Sequence, residues 1–408
     1  MHPALPADPG LAPRMRSGVL EFPVHHMRGG TSTGLVLLEA FAPADRLLRE
    51  ELLRHLMGLP LAGRRAGNRQ ITGLGRGPAT SNKVFFAGLE TGPRGLRLVS
   101  TLAQMASDHG EIDWSVNCGN MSAALPLWAL DTGMVAGAAS GAIDIDIRNT
   151  NTGVVTTARM LREADGRFAA AEIPGVDGAF AAVDLFLHQP VGAKTGRLLP
   201  TGRAIEQVGR YSASCVDVAV PMVILDAAEF GKTAHEPIAE LEADGTFMAA
   251  LRGAWIEAGL RMGLKRRDGS PMDRADIERS ETIPKACIVG APRHGGHLAV
   301  RYFTPQSGHA SMAVSGGCCL AAAALIEGSV AHRVARGLPR VGDAPGELLV
   351  GIENPAGLLE ATVAARLDAG GTLQVDSAAY RRSAQVLLRG HVPLYRASDA
   401  LVAALRPA

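Results

Sequence analysis

The sequence predicts an α+β protein of two similar domains, each a β-barrel-like sheet wrapped around one buried helix. Three observations lead there. The run Thr80-Ser81-Asn82-Lys83-Val84-Phe85-Phe86-Ala87-Gly88 is echoed in the second half by Thr282-Ile283-Pro284-Lys285-Ala286-Cys287-Ile288-Val289-Gly290. Each run is followed by a small-residue turn leading into an apolar segment, with Cys118 35 positions after Lys83 and Ser315 30 positions after Lys285. The third observation is bulk composition. At 47% hydrophobic and 20% charged over 408 residues, the chain can fill two ordinary cores and is not a disordered polymer.

Taken in order, residues 1–18 are rich in Pro and Ala, lack an apolar signal-like region, and are expected to be a flexible extension. Val19–Val24 and Leu35–Glu39 read as strands around the turn Arg28-Gly29-Gly30-Thr31-Ser32-Thr33-Gly34. Ala44–Met57 has helical spacing, with Leu47, Leu48, Leu52, Leu53 and Leu56 on one stripe and Gly58 and Pro60 as stops. Gly63–Thr80 is a Gly- and Arg-dense loop. Val84–Gly88, Leu96–Ala103, Ile143–Arg148 and Val154–Leu161 are strand-like between Gly-, Pro- and Asn-rich turns. The segment after Cys118 is apolar all round, as a wholly enclosed helix requires, with Pro126 expected to kink or shorten it. Leu320–Gly328 is its alanine-rich counterpart. Arg28–Ala40 and Val216–Ala227 form a further repeated pair, and the seam is expected near Leu198–Val208. The domains so drawn are 19–205 and 206–396, with a helical insertion at 251–280 and a tail at 397–408.

Several classes are excluded. Net charge is +1, and the densest basic group, Arg261, Lys265, Arg266 and Arg267, is followed by Asp268, Asp273 and Asp276, so no nucleic-acid footprint exists. The apolar stretches 121–139 and 312–326 are interrupted by Pro126, Asp131 and glycines and are too broken to span a membrane. Five cysteines without a CxxC pair give neither a disulfide framework nor a zinc site, which suits reduced thiols in the cytoplasm. His25-His26 and His294-Gly295-Gly296-His297 lack acidic or thiol companions at ligand spacing, so no metal is expected. Gly73-Leu74-Gly75-Arg76-Gly77 lacks the strand–turn–helix order of a nucleotide loop, and no Gly-x-Ser-x-Gly elbow occurs.

What remains is proton chemistry on an anion in a cleft between the two halves. Cys118 stands where a loop becomes a helix, a place where free amides and the helix dipole favour a thiolate or a bound carboxylate. Lys83 opens an apolar run. A lysine buried there loses hydration, so its pKa falls and neutral amine becomes available as a base; the alternative is a strand-end lysine reaching water. The turn Arg28-Gly29-Gly30-Thr31-Ser32 offers a guanidinium, hydroxyls and amides for a carboxylate. Cys318 and Cys319 read as inert packing thiols.

Arg28-Gly29-Gly30-Thr31-Ser32-Thr33-Gly34, Gln70-Ile71-Thr72-Gly73-Leu74-Gly75, Ser81-Asn82-Lys83-Val84 and Asn117-Cys118-Gly119-Asn120 resemble the PrpF-like isomerases. Thr282-Ile283-Pro284-Lys285 and His309-Ala310 with Val314-Ser315-Gly316-Gly317 resemble that family's second-half signatures, in the same order over about residues 19–396. The family includes 2-methylaconitate cis–trans isomerase, 4-oxalomesaconate tautomerase and 3-methylitaconate Δ-isomerase, on the diaminopimelate epimerase-like fold. The resemblance implies a cofactor-independent allylic proton shift or cis–trans isomerisation on an unsaturated di- or tricarboxylate. By that resemblance Lys83 and Cys118 are catalytic, and Thr31, Ser32, Ser81, Gly119, Asn120, Met121, Arg301, Met312, Ser315 and Gly316 hold the substrate. A homodimer is one oligomeric form it admits. Where the family usually has lysine after the Thr-Ser pair, this chain has Thr33, which removes one positive charge from the turn. Two other readings compete: a two-base racemase or epimerase, with Cys318 opposite Cys118, and a non-catalytic carboxylate-binding protein.

Overall fold

The computed structural model describes residues 9–77, 81–115, 117–266, 268–280, 282–304 and 306–406. The chain divides into two compact units. The first holds residues 1–172, 178–185 and 382–408; the second holds 173–177 and 186–381.

In the first unit the hairpin Val19–Gly29 and Ser32–Leu38 is followed by Lys83–Gly92, which joins it in parallel. Gly95–Met105 then pairs antiparallel, Gly141–Asn149 parallel, and Val155–Arg162 antiparallel. The second unit repeats this order of pairings. Tyr211–Val218 and Val220–Asp226 form the hairpin, and Lys285–Gly290, Leu298–Thr304, Gly346–Asn354 and Gly357–Leu367 follow in the same alternation. The duplication read from the two lysine runs is thus a duplication of sheet topology.

Period-two alternation sorts the side chains of each sheet between two cores. In the first unit Met27, Val36, Leu38, Phe85 and Ala87 pack with the central helix. Phe22, Val24, Leu35, Leu37, Val84 and Phe86 pack outward with the helix Arg46–Met57 and the C-terminal helix Asp399–Leu405. The central helix is two short pieces, Gly119–Ser122 and Ala124–Asp131, meeting at Ala123. Pro126 lies in the first turn of the second piece, where an amide has no intrahelical acceptor in any case. In the second unit the central helix is Val314–Ala324, and every residue from Gly316 to Ala324 is buried.

Arg46–Met57 forms because Asp45 caps it, Oδ1 accepting the Leu48 amide at 3.0 Å, and Gly58 ends it in the left-handed region at φ +68°. Its buried stripe is Leu52, Leu53, Leu56 and Met57; Leu47, expected on that stripe, is 73% exposed.

Four boundaries differ from the expectation. Residues 1–8 of the expected extension lie outside the described residues, but Arg14–Arg16 pairs with Val19–Glu21 and Leu11 is buried in the first core, so this part of the extension is tied to the first unit. The tail 397–408 carries the helix Asp399–Leu405. Ser398 caps it and bonds Glu51, and Leu401 and Leu405 are buried. The chain first changes unit at residue 173, not near 198–208, and returns to the first unit at Arg382. Residues 251–280 are no surplus excursion. The helix Gly245–Arg261 buries Phe247, Leu251, Trp255 and Ala258 on the outer face of the second sheet. It holds the place in the repeat that Arg46–Met57 holds in the first. Among the described residues no helix is long and apolar enough to cross a membrane. In the basic group, Arg266 pairs with Asp273 and Asp276, and Arg261 with Glu206 and Glu257.

Candidate active site

The site of the first unit is built where the Gly29-Gly30 turn meets the start of the central helix. A Cβ on Gly29 would lie 2.5 Å from the Asn120 carbonyl oxygen and 2.9 Å from that of Met121. Gly30 adopts φ +52°, and a Cβ there would lie 2.5 Å from Asn120 Oδ1. Only two side-chain-free residues allow this approach. The contact brings Thr31 and Ser32 to the helix start: Asn120 Nδ2 donates to Thr31 Oγ1 at 3.3 Å, and Ser32 Oγ lies 3.9 Å from Cys118 Sγ. Cys118 is the helix cap. Its sulfur accepts the Met121 amide at 3.5 Å, and its own amide donates to Asn117 Oδ1 at 2.8 Å.

Lys83 begins its strand and alternates with Phe85 and Ala87 on the face toward the central helix. It is 4% exposed. Burial pushes its ammonium below the ordinary lysine range, and the negative charge available at Cys118 pulls it part of the way back. The two groups therefore share one electrostatic environment. Gly34 sets the strand spacing, since a Cβ there would lie 2.3 Å from the Lys83 carbonyl oxygen. Ser81 stands half-buried two residues ahead of the lysine.

The chain resembles known proteins over nearly its whole length. The PrpF protein family profile matches residues 19–395. The chain belongs to the PrpF family. It is 35% identical over 384 residues to the 4-oxalomesaconate tautomerase of Pseudomonas putida, covering 93% of this chain and 98% of that one. It is 31% identical over 383 residues to the (4E)-oxalomesaconate Delta-isomerase of Novosphingobium, covering 93% and 99%. The crystal structure of a methylitaconate-delta-isomerase superposes with a TM-score of 0.77 at 25% identity, covering 96% of this chain and 98% of that one.

Within this PrpF chain Arg28 departs from its expected role as a carboxylate ligand. The hairpin register sets it opposite Thr33 on the outer face, with His26 and Val24, while Ser32 faces inward. Its Nη1 donates to the Gly30 carbonyl at 2.9 Å and to Ser383 O and Oγ at 3.2 Å; its Nε reaches Gln385 Oε1 at 3.3 Å. The guanidinium also stacks 4.6 Å from the Phe180 ring centre. Arg28 thus fastens the turn from behind. The charge absent at Thr33 is likewise absent from the outer face, beside Arg28, and not from the Lys83 side.

In the second unit Met312, Ser315 and Gly316 gather at the start of Val314–Ala324. Gly316 is there because a Cβ would lie 2.6 Å from the Tyr302 ring. Arg301 does not join them. It alternates with Ala299 and Phe303 on the outer face, and its guanidinium donates to the Glu236 and Val300 carbonyls. Lys285, the counterpart of Lys83, is also lowered by burial. Cys318 and Cys319 are wholly buried, Cys319 Sγ bonding the Val216 carbonyl, and burial pushes the Cys319 thiol up. Neither offers an accessible second thiol.

Gln70 and Asn82 lie in the family-like stretches but have no role that their position in the sequence assigns. Both are buried and form a reciprocal amide pair: Gln70 Nε2 donates to Asn82 Oδ1 at 2.9 Å, and Asn82 Nδ2 to Gln70 Oε1 at 3.1 Å. Gln70 also holds Met57 O and Gly77 N, and Asn82 holds Gly77 O and Arg76 N. The residue before Lys83 is thereby locked to the loop 70–77. The available signal was an amide side chain opening an apolar strand, which demands buried partners.

Proposed function

We propose that this chain is an isomerase of unsaturated di- or tricarboxylates that moves a proton along an allylic system without a cofactor, on substrates of the oxalomesaconate kind. The observation that carries this reading is Lys83: a buried amine with a lowered pKa, electrostatically joined to Cys118 at a helix start. Neutral Lys83 Nζ takes a proton from the carbon next to the conjugated double bond. The electron pair spreads toward the carboxylates as a dienolate, and the proton returns at the far carbon of the allyl unit, so no net proton is gained or lost. Ser32, Thr31, Asn120 and the Cys118 turn supply fixed donors for the developing charge. Cys118 acts as the partner acid or as a polar wall. Relatives named for oxalomesaconate isomerisation at 35% and 31% identity favour that substrate class over methylitaconate. Five free thiols fit a reducing, cytoplasmic setting.

The test is ultraviolet absorbance of oxalomesaconate with wild type and Lys83→Met. Loss of a positioned base lowers kcat by about 10²–10⁴-fold. Wild-type kcat should rise with pH as Lys83 deprotonates, with its midpoint below that of an ordinary lysine. Undiminished turnover by Lys83→Met would refute the assignment. The racemase reading needs a second thiol at the site, and the burial of Cys318 disfavours it.

A further inference from the structure

We propose that His235, His294 and Glu353, all in the second unit, form a binding site for a divalent transition-metal ion of the zinc class. Each of the three offers a ligand atom within 4.8 Å of the other two. They come from three separate parts of the chain: the turn after Val220–Asp226, the hairpin joining Lys285–Gly290 to Leu298–Thr304, and the strand Gly346–Asn354. The sequence shows only the pair His294 and His297, and His297 is engaged elsewhere, its Nδ1 accepting the Gly351 amide at 2.7 Å.

Glu353 is 4% exposed, and its carboxylate is fixed by the hairpin backbone. Oε1 accepts the His294 and Gly296 amides, and Oε2 accepts the Arg293 amide at 2.8 Å. A carboxylate has about four acceptor positions, so Oε2 keeps one for a cation. His235 Nε2 lies 2.9 Å from the Ala291 carbonyl, which only an N–H can satisfy. That leaves Nδ1 with its lone pair, the tautomer fixing found around metal-bound imidazoles. The turn holding His235 is forced into place: Ala234 is buried at φ +64°, and a Cβ on Gly290 would lie 2.3 Å from the Thr233 carbonyl. Left-handed backbone at a non-glycine residue is a strain that gathers at ligand clamps.

Zinc–nitrogen and zinc–oxygen bonds are about 2.0–2.2 Å, so tetrahedral ligands of one ion sit about 3.3–3.6 Å apart, and atoms separated by as much as 4.8 Å must close by up to about 1.5 Å. His294 supplies that movement, because it is exposed at the hairpin tip beside Gly295 at φ +86°. Two imidazoles and a carboxylate favour zinc, copper, nickel or cobalt over magnesium or calcium, with water completing the shell.

The experiment titrates metal-free full-length protein with Zn²⁺, Co²⁺ and Mg²⁺ separately, reading bound metal by equilibrium dialysis and the visible bands of bound Co²⁺. The expected result is one Zn²⁺ per chain, with affinity falling at least tenfold in His294→Ala and in His235→Ala, and no response to Mg²⁺. His294→Ala is the cleaner variant, since an exposed ring carries little of the fold, and its metal-free melting temperature should match wild type. Binding that is absent, equal for Mg²⁺, or unchanged in both histidine variants would overturn the site.

Discussion

Gly29→Ala is the sharpest perturbation of the proposed active site, because it adds one carbon to the side of the turn that touches the helix start. That carbon would stand 2.5, 2.9 and 3.0 Å from Asn120 O, Met121 O and Ala124 N, whereas ordinary contact begins near 3.4 Å. All three neighbours are backbone atoms, so no rotamer change relieves the clash. The turn and the helix start must part by close to 1 Å. Overpacking of this kind costs about 1–3 kcal/mol of stability. Its larger effect is on the reaction. Ser32 rides on the turn and Cys118 on the helix start, and a 1 Å misplacement of reacting groups lowers turnover by about 10²-fold. The assay is kcat from ultraviolet absorbance alongside thermal denaturation. Gly253→Ala serves as control: Gly253 lies within Gly245–Arg261 with nothing within 4 Å of a new Cβ. That change should leave kcat intact and stabilise by about 0.5–1 kcal/mol. If Gly29→Ala turned over within twofold of wild type, the claim that glycine contact sets the Ser32–Cys118 geometry would be wrong.

Two further outcomes are expected. Asn82→Leu should cost about 1–3 kcal/mol by stranding Gln70 and Arg76 N, and Gln70→Leu/Asn82→Leu should cost less than the sum of its parts; additive losses in urea unfolding would deny the coupling. His26 has its pKa lowered to about 4, first by burial and then by the charge of Arg76. It is neutral in the fold and takes up a proton more readily when unfolded, so its contribution is present above pH 6.5 and is lost as pH falls toward 4. Over that window the loss is about 3 kcal/mol. His26→Leu should flatten the acid side of the stability curve relative to wild type, and an unaltered slope from pH 7 to 4 would count against the assignment.

The duplicated topology was legible because alternation and the paired lysine runs are local signals. The burial of Lys83 was only half legible: a cation at the mouth of an apolar strand reads equally well as a strand-end lysine reaching water, and it is the packing of the sheet that leaves it 4% exposed. The role of Arg28 was not legible, because the groups that bind it, Ser383, Gln385 and Phe180, lie far away in sequence. Arg301 came from the resemblance alone, and its outward facing follows from a strand register that the sequence by itself does not fix. The helix Gly245–Arg261 looked like an insertion because its weak amphipathic pattern hid the repeat position it fills. His235 and Glu353 gave no sign of each other, being more than a hundred residues apart in the chain.

The return of residues 382–408 to the first unit has a consequence for biosynthesis. The strand pairing with Glu21–Gly29, and the Ser383 groups that fasten Arg28, are made only after all of the second unit. A ribosome that has delivered the whole Lys83–Cys118 region still holds an unsealed sheet edge until residues 384–393 are made. The N-terminal unit therefore cannot mature ahead of its partner, and a gene truncated after the second unit loses the first one's closing strand. Order of synthesis and order of completion run in opposite directions here.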